Sequence, residues 1–429
     1  MSEQQKQQTA KVYEVTVTAP VNIAVIKYWG KRNKKLILPT NPSLSCTLSQ
    51  DHLHTCTTVR ASPTFDRDRL WLNCVEERIE ASERLLNCIT ATRQLRAELE
   101  SKDPSLAPLS KWGLHICSQN NFPTAAGLAS SASGYAALVS ALAKLFELPL
   151  SEEDQSKIAR TGSGSACRSM FGGFVAWQAG ELDDGGDSFS YQVAPATHWP
   201  DLHALICVVS DAKKGVSSTS GMQTTVQTSE LFPTRCRDVV PQRMEAMKRA
   251  ILDRDFETFA TITMKDSNQF HACCLDTYPP IFYLNDASRA IIQLIHAFNN
   301  QKVDPATGKP VIRAAYTFDA GPNAVIYAPK GAMRELVQLV TYFFPKPIDR
   351  PSQAYYSDQF GLFSESEYAR LGSDIYDESV AEFKDKFSVF PPGAVRRVIH
   401  TSIGDGPRLL TSHSSSLLND AGMPKRARD

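Results

Sequence analysis

No stretch of the sequence approaches the roughly 18 uninterrupted apolar residues of a membrane-spanning helix. An excess of charge of either sign is also missing: 46 Lys and Arg balance 46 Asp and Glu over 429 residues. A neutral chain carries no electrostatic footprint for nucleic acid or an anionic membrane, so neither is expected as a partner. A local basic pocket for a small anion stays open, because whole-chain charge is silent about one cleft. The ten cysteines run from Cys46 to Cys274 without a CxxC pair, and the nine histidines form no HExxH. That is neither a disulfide framework nor a zinc spacing, and it reads as structural thiols in a reducing compartment. Residues 1–11 lack the apolar core of a secretory leader and the Arg-rich pattern of a transit peptide. Residues 425–429 match no retention or peroxisomal signal, so the cytosol is the expected compartment. Nucleotide signatures are absent too. There is no GxxxxGK[ST], and Gly162-Ser163-Gly164 lacks the third glycine of GxGxxG.

What is present is ordinary globular usage, with 42% hydrophobic and 21% charged residues. The length predicts roughly two to four domain-sized units. Alternating β-branched residues predict a first strand over 12–19, ended by Pro20, with more sheet over Thr47–Arg60. Helical spacing runs from Ile79 to Leu99, over Ser130–Leu148, where one face is apolar, and over Arg243–Asn268 and Ala287–Asn299. Gly113–Ser118, Phe174–Gln178, Leu202–Ser210 and Arg313–Asp319 read as strands, and Ser151 as a helix cap. A compositional break at Pro195–Pro200 predicts a seam. Strands and helices mix without a regular βαβ period, so the expected class is α+β in two lobes. The expected divisions are a flexible tail over 1–11, lobes over 12–197 and 198–406, and a loosely held Ser-rich tail over 407–429.

The sharpest local feature is Pro123-Thr124-Ala125-Ala126-Gly127-Leu128-Ala129-Ser130-Ser131-Ala132, a small-residue loop opening into an amphipathic helix. Free N–H groups and the dipole at such a terminus make an anion site, and Ser130 and Ser131 add donors or a Mg²⁺ ligand. A plain serine cap explains the same composition. Lys27, Tyr28 and Lys31 stand in a turn after an apolar strand, aimed at phosphate oxygens or merely solvated. Arg168 sits in the Gly/Ser loop Gly162–Ser169, either as a fork for a carboxylate or phosphate or as an exposed arginine. The segment from Asp211 to Met222 follows the buried strand, where functional loops tend to sit, though ordinary turn hydroxyls account for it equally. Asp319 ends a strand before a Gly-Pro turn, as a turn-former or as a general base.

Residues 123–132 resemble the phosphate loop of the galactokinase, homoserine kinase, mevalonate kinase and phosphomevalonate kinase superfamily. With APVNIAVIKYWGKR, SGSACRSMFGGFVAW, SSTSGMQTTVQTS, MKDSNQFHA and AYTFDAGPNA, in that order, the chain resembles the mevalonate diphosphate decarboxylase family over nearly all of 12–406. The resemblance implies an N-terminal, ATP-binding lobe like ribosomal protein S5 domain 2 and a ferredoxin-like C-terminal lobe, with the active site between them. It implies ATP-dependent decarboxylation of (R)-5-diphosphomevalonate to isopentenyl diphosphate, ADP, phosphate and CO₂, by a homodimer using Mg²⁺. The alternative is a superfamily kinase that stops after phosphoryl transfer. By the same resemblance, Asp319 is the group at the C3 hydroxyl, Arg168 with Asn22 orients the carboxylate, and Lys27 lies near the transferring phosphoryl group. Tyr28, Lys31, Ser163, Ser165, Ser218 (or Ser217) and Met222 map onto substrate contacts. Pro123, Ala126, Gly127, Leu128, Ala129, Ser130, Ser131 and Ala132 map onto the nucleotide loop, with Ser131 as the Mg²⁺ ligand.

Two departures stand out. By the resemblance, the usual Gly-Arg after Trp71-Leu72-Asn73, whose arginine touches the substrate, is Cys74-Val75 here, an expected loss of about 1.5–3 kcal/mol of diphosphate binding unless a nearby cation such as Arg78 compensates. Asn41-Pro42-Ser43 also has one hydroxyl fewer than the usual Asn-Ser-Ser.

Overall fold

The computed structural model describes residues 12–122, 130–209, 215–373 and 381–425. Alternation builds the first sheet. Tyr13–Pro20 pairs antiparallel with His54–Ser62, which pairs with Gly113–Asn120, and Arg69–Leu72 and Val75–Glu77 extend that edge. Thr16 and Thr58, and Thr57 and Ser118, join hydroxyls at 2.8 Å across this sheet, so these buried polar side chains satisfy one another. The helices Glu83–Lys102, Ser130–Leu145 and Glu152–Gly162 cover one face, through a core that includes Val59, Ile116, Leu138, Leu142 and Ala159. Burying a leucine such as Leu142 contributes about 1.5–3 kcal/mol. Alanines 132, 136, 137 and 141 keep the helix over 130–145 close to the strands, and Ser133 bonds Thr55 at 2.6 Å. Close seating matters here, because this helix begins at the site.

A four-stranded sheet, in the order Ser190–Ala194, Phe174–Trp177, Ser43–Thr47 and Asn22–Ile26, lies between the lobes. The second lobe is an antiparallel sheet in the order Ala315–Phe318, Ala324–Pro329, Leu202–Val208 and Arg397–Ser402. Asp286–Asn300 and Lys330–Phe343 pack on it through Ile291, Leu294, Phe298, Leu336 and Val340. Its other face shares one apolar core with the first lobe: Ile23, Val25, Leu44 and Phe174 meet Ile206, Val325, Tyr327 and Phe259. The fold is the expected α+β pair of lobes, and the seam at 195–200 is a change of sheet inside a continuous core.

Three expectations need correction. Arg243–Asn268 is not one helix, because Arg254 turns left-handed (φ 55°) and Asp255 caps a second helix by accepting from the Thr258 N–H. The segment after Ser217 is a helix, Ser218–Thr228, capped by the Ser217 hydroxyl. Residues 407–425 are not a loose tail, and 426–429 lie outside the described residues. Arg408–Leu410 pairs with Tyr13–Pro20, Leu418 is fully buried against Trp71 and Cys117, and Arg60 donates to the carbonyls of Asn419 and Asp420. Serine-rich composition hid three anchoring apolar residues, Leu417, Leu418 and Met423. The expected tail over 1–11 lies outside the described residues.

Candidate active site

The strand Asn22–Ile26 ends at the inter-lobe seam, so the next residues emerge into a cleft of about 380 Å³. Asn22, Lys27, Tyr28 and Lys31 line it from this segment, Ser130 and Ser131 from the helix start, and Ser163, Ser165 and Arg168 from the Gly/Ser turn. Ser217, Ser218, Met222 and Asp319 line it from the second lobe. The predicted residues that are described thus converge, with one exception: Ala132 is fully buried and lines neither this cleft nor its neighbour. Pro123, Ala126, Gly127, Leu128 and Ala129, like Asp211 to Lys214, lie outside the described residues.

Asp319 follows the strand Ala315–Phe318, and its carbonyl accepts from the Gly321 N–H in the turn. Its Oδ1 lies 2.6 Å from Lys27 Nζ; the lysine side chain is 3% exposed and the carboxylate 34%. A carboxylate that keeps one wet side can meet a substrate while its other side is paired.

Arg168 is buried in a 3-10 turn, Gly164–Met170. Its Nε donates to Asn22 Oδ1 (3.2 Å) and Ser45 Oγ (3.0 Å), and its Nη1 to Ser43 Oγ (2.6 Å). Burial pushes its pKa below the ordinary guanidinium value. These acceptors are neutral, so the guanidinium charge is oriented without being cancelled, as an anion-positioning group requires. Asn22 donates in turn to the Ser165 carbonyl and Ser169 Oγ. Ser43, the hydroxyl left in Asn41-Pro42-Ser43, is the one that holds Arg168.

Tyr28 packs on Trp177 at 4.7 Å between ring centroids, and Gly164 permits it, since a Cβ there would come within 2.8 Å of the ring. Its buried hydroxyl has no partner among the described residues, and burial raises its pKa, so it is a neutral donor at the wall of the cleft. Lys31 is lowered to about 8 by burial and then by Arg84.

Arg84 was not picked out in the sequence. It lines the cleft from the first turn of Glu83–Lys102, and its Nη2 donates to Thr219 Oγ1 at 2.8 Å across the lobes. Its signal was its place just after the cap Ser82, off the buried face marked by Leu85, Cys88 and Ile89. Cys74 and Val75 are exposed at a hairpin and line neither cavity, while Arg78 lines the second one. Arg84 is thus a cation at the cleft, which neither Cys74 nor Val75 reaches.

Ser131 Oγ lies 3.2 Å from Ser163 Oγ, linking the helix start to the Gly/Ser turn. A second cavity of about 450 Å³ shares Ser130 and Ser131 and is lined by Thr55, Leu70, Arg78, Tyr135 and Leu138. Two cavities meeting at a helix N-terminus suit a two-part ligand set joined at an anion. Among the described residues no group of three or more His, Cys, Asp or Glu could hold a metal ion. Serine hydroxyls at an anion site do fit Mg²⁺, which takes oxygen ligands and is usually bound through phosphates and waters.

Deprotonation of Lys31 removes a cation from the cleft. The Michaelis constant for an anionic substrate is therefore expected to rise as pH climbs through about 8. Lys31→Arg, which keeps its charge, should flatten that rise; an equal rise in the variant would exclude Lys31 as its source.

A two-lobed α+β scaffold, with a helix terminus, a lysine–aspartate pair and an uncancelled arginine facing one inter-lobe cleft, defines an enzyme that activates a small anionic substrate with a nucleotide. The profile described as diphosphomevalonate decarboxylase-like N-terminal domain matches residues 19–190, and that of the mevalonate 5-diphosphate decarboxylase C-terminal domain matches 204–410. The chain belongs to the mevalonate diphosphate decarboxylase family. It is 57% identical to the diphosphomevalonate decarboxylase of Ganoderma lucidum, covering 96% of this chain and 100% of that one. A crystal structure of mevalonate 5-diphosphate decarboxylase superimposes with a TM-score of 0.81 at 48% identity, covering 96% of this chain and 99% of the other. A solved structure described as MDDEF in complex with MVAPP, AMPPCP and magnesium gives a TM-score of 0.68 at 29% identity, covering 94% and 100%.

Proposed function

We propose that this chain catalyses the ATP-dependent decarboxylation of (R)-5-diphosphomevalonate to isopentenyl diphosphate, releasing ADP, phosphate and CO₂. The observation that carries the reading is the meeting of Lys27, Asp319 and Arg168 in one cleft that opens at the Ser130 helix terminus.

Direct loss of CO₂ from a β-hydroxy acid would expel hydroxide, a very poor leaving group. Transfer of the ATP γ-phosphoryl group to the C3 oxygen replaces it with phosphate. Asp319 takes the hydroxyl proton as that oxygen attacks, and Lys27 spreads the charge of the phosphoryl group in transit. The C3–O bond then breaks with its electron pair leaving on phosphate. The electrons of the C–CO₂⁻ bond form the alkene, releasing CO₂. Having passed that proton to water through its exposed side, Asp319 is again an anion and steadies the positive character at C3. Arg168, held by Asn22, Ser43 and Ser45, sets the carboxylate out of the plane of the forming alkene; this is positioning, since a tight clamp would oppose CO₂ release. Tyr28, Lys31, Ser163, Ser165, Ser218, Met222 and Arg84 hold the diphosphate end. Ser130 and Ser131 bind the nucleotide phosphates, with the base in the second cavity. Ser131 would hold Mg²⁺, and the ion would supply neutralisation of phosphate charge.

The same reading places the chain in isoprenoid and sterol biosynthesis, in the cytosol, as a homodimer. Its lobes are assigned to 12–197 and 198–406, supported by the matched ranges 19–190 and 204–410. Among the described residues no helix is long and apolar enough to cross a membrane. The test of the route is isotopic. Substrate carrying ¹⁸O at the C3 hydroxyl should deliver its label to inorganic phosphate, and unlabelled phosphate would rule out phosphorylation at that oxygen.

A further inference from the structure

Beneath Lys27, on the side away from the cleft, lies an ion network that the mechanism above leaves unused. Asp266, in the helix Phe256–Asp276, is fully buried, as is Arg235. The Asp266 carboxylate accepts from both Arg235 terminal nitrogens at 2.9 Å and from Arg243 Nη1 at 2.9 Å. It also accepts from the backbone N–H of Lys27 at 2.8 Å. The Lys27 carbonyl accepts from Arg235 Nη2 (3.3 Å) and from Asn41 Nδ2 (3.0 Å). Both polar groups of one residue's backbone are thus fixed by side chains, and most of that grip comes from the opposite lobe.

A buried ion network gives little net stability over apolar packing of the same volume, so stability alone is a poor reason for one here. Local structure points the same way. Arg235 opens a π-helical turn, Arg235–Val239, just before a helix with Pro241 at its start. Such turns are uncommon and occur frequently at functional sites. Burial pushes the Asp266 pKa up, but Arg235, the Lys27 N–H and Arg243 together bring it below the ordinary carboxylate value, so it holds the network as an anion.

We infer that Asp266, with Arg235 and Arg243, is a positioning residue that sets where the Lys27 ammonium stands relative to Asp319. The inference rests on the role given to Lys27 above. Asp266 touches no reacting group; it acts by fixing the backbone from which Lys27 reaches the cleft.

The test is Asp266→Asn, which keeps the size and an oxygen for the Lys27 N–H but loses the charge that holds both arginines. In folded variant, kcat should fall about a hundredfold, the scale of an ångström-sized misplacement. The Michaelis constants for ATP and diphosphomevalonate should stay within about threefold, and single-turnover ADP formation should slow in step with kcat. Arg243→Gln, at the rim of the network, should keep the wild-type thermal midpoint and lower kcat about fivefold. Folded Asp266→Asn with a kcat within about threefold of wild type, or with its loss confined to the Michaelis constants, overturns the inference. If Asp266→Asn does not fold, wild-type kcat in Arg243→Gln overturns it. Wild-type enzyme assayed alongside separates the two claims: no turnover there refutes the proposed reaction, whereas turnover that survives in the variants refutes only the positioning role.

Discussion

Asp319→Asn is expected to retain nucleotide binding and lose turnover by about three to five orders of magnitude. The amide has the same shape, so it fills the same place at the end of Ala315–Phe318. It cannot take the C3 hydroxyl proton, a role worth about 10²–10⁴. It also brings no negative charge to the carbon that becomes electron-poor as phosphate leaves, which removes about 10²–10³ more, with overlap between the two effects. Asp319 lines the first cleft and not the second, so ATP affinity should change by less than about threefold. Equilibrium binding of nucleotide and steady-state turnover on the same folded sample check both halves. Turnover within about tenfold of wild type would remove Asp319 from the chemistry.

Lys27→Met comes next in size. Methionine nearly matches the length and volume of the lysine stem, so the buried position remains filled while the ammonium is lost. That ammonium is 2.6 Å from Asp319 and 3% exposed, sheltered from the water that would weaken its field. Removing a preorganised cation from a phosphoryl-transfer site should lower kcat by about 10²–10³, with a smaller change in the Michaelis constant for ATP. Lys27→Arg should not restore the rate, because a planar fork does not place its charge where a compact ammonium does. A variant with normal kcat and a raised Michaelis constant alone would make Lys27 a ground-state contact.

The residues that share the cleft were legible as candidates in the sequence where one short segment carries both a backbone device and a polar side chain. Lys27 follows an apolar strand, Asp319 precedes a Gly-Pro turn, and Arg168 sits in a Gly/Ser turn, so each stood out as a candidate with a bland alternative, and only the family resemblance chose between the two. What escaped depends on contacts distant in sequence. Arg84 and Thr219 meet across 135 residues, and Asp266 meets the Lys27 backbone across 239. Neither pairing leaves a local pattern. Asp266 stood inside the quoted MKDSNQFHA, but nothing in that string distinguishes an acid that faces Lys27 from one that faces solvent. The second cavity was invisible for the same reason, since its walls come from strands and helices spread over 55–138.

Errors in the fold had equally physical origins. Apolar spacing continued through Arg254, where a left-handed residue followed by the cap Asp255 splits one apparent helix into two. The C-terminal stretch looked loose because its composition is polar, yet backbone pairing of Arg408–Leu410 and the burial of Leu418 hold it to the first sheet. Composition reports what a segment could bury in total; here three apolar side chains, Leu417, Leu418 and Met423, and three paired strand residues anchor a mostly polar stretch.

The most direct measurement counts products from purified protein supplied with ATP, Mg²⁺ and (R)-5-diphosphomevalonate carrying a labelled carboxyl carbon. One labelled CO₂ and one isopentenyl diphosphate should appear for every ADP, throughout the time course. ADP accumulating without labelled CO₂ would mean a kinase that stops at the phosphorylated alcohol, and would contradict the account.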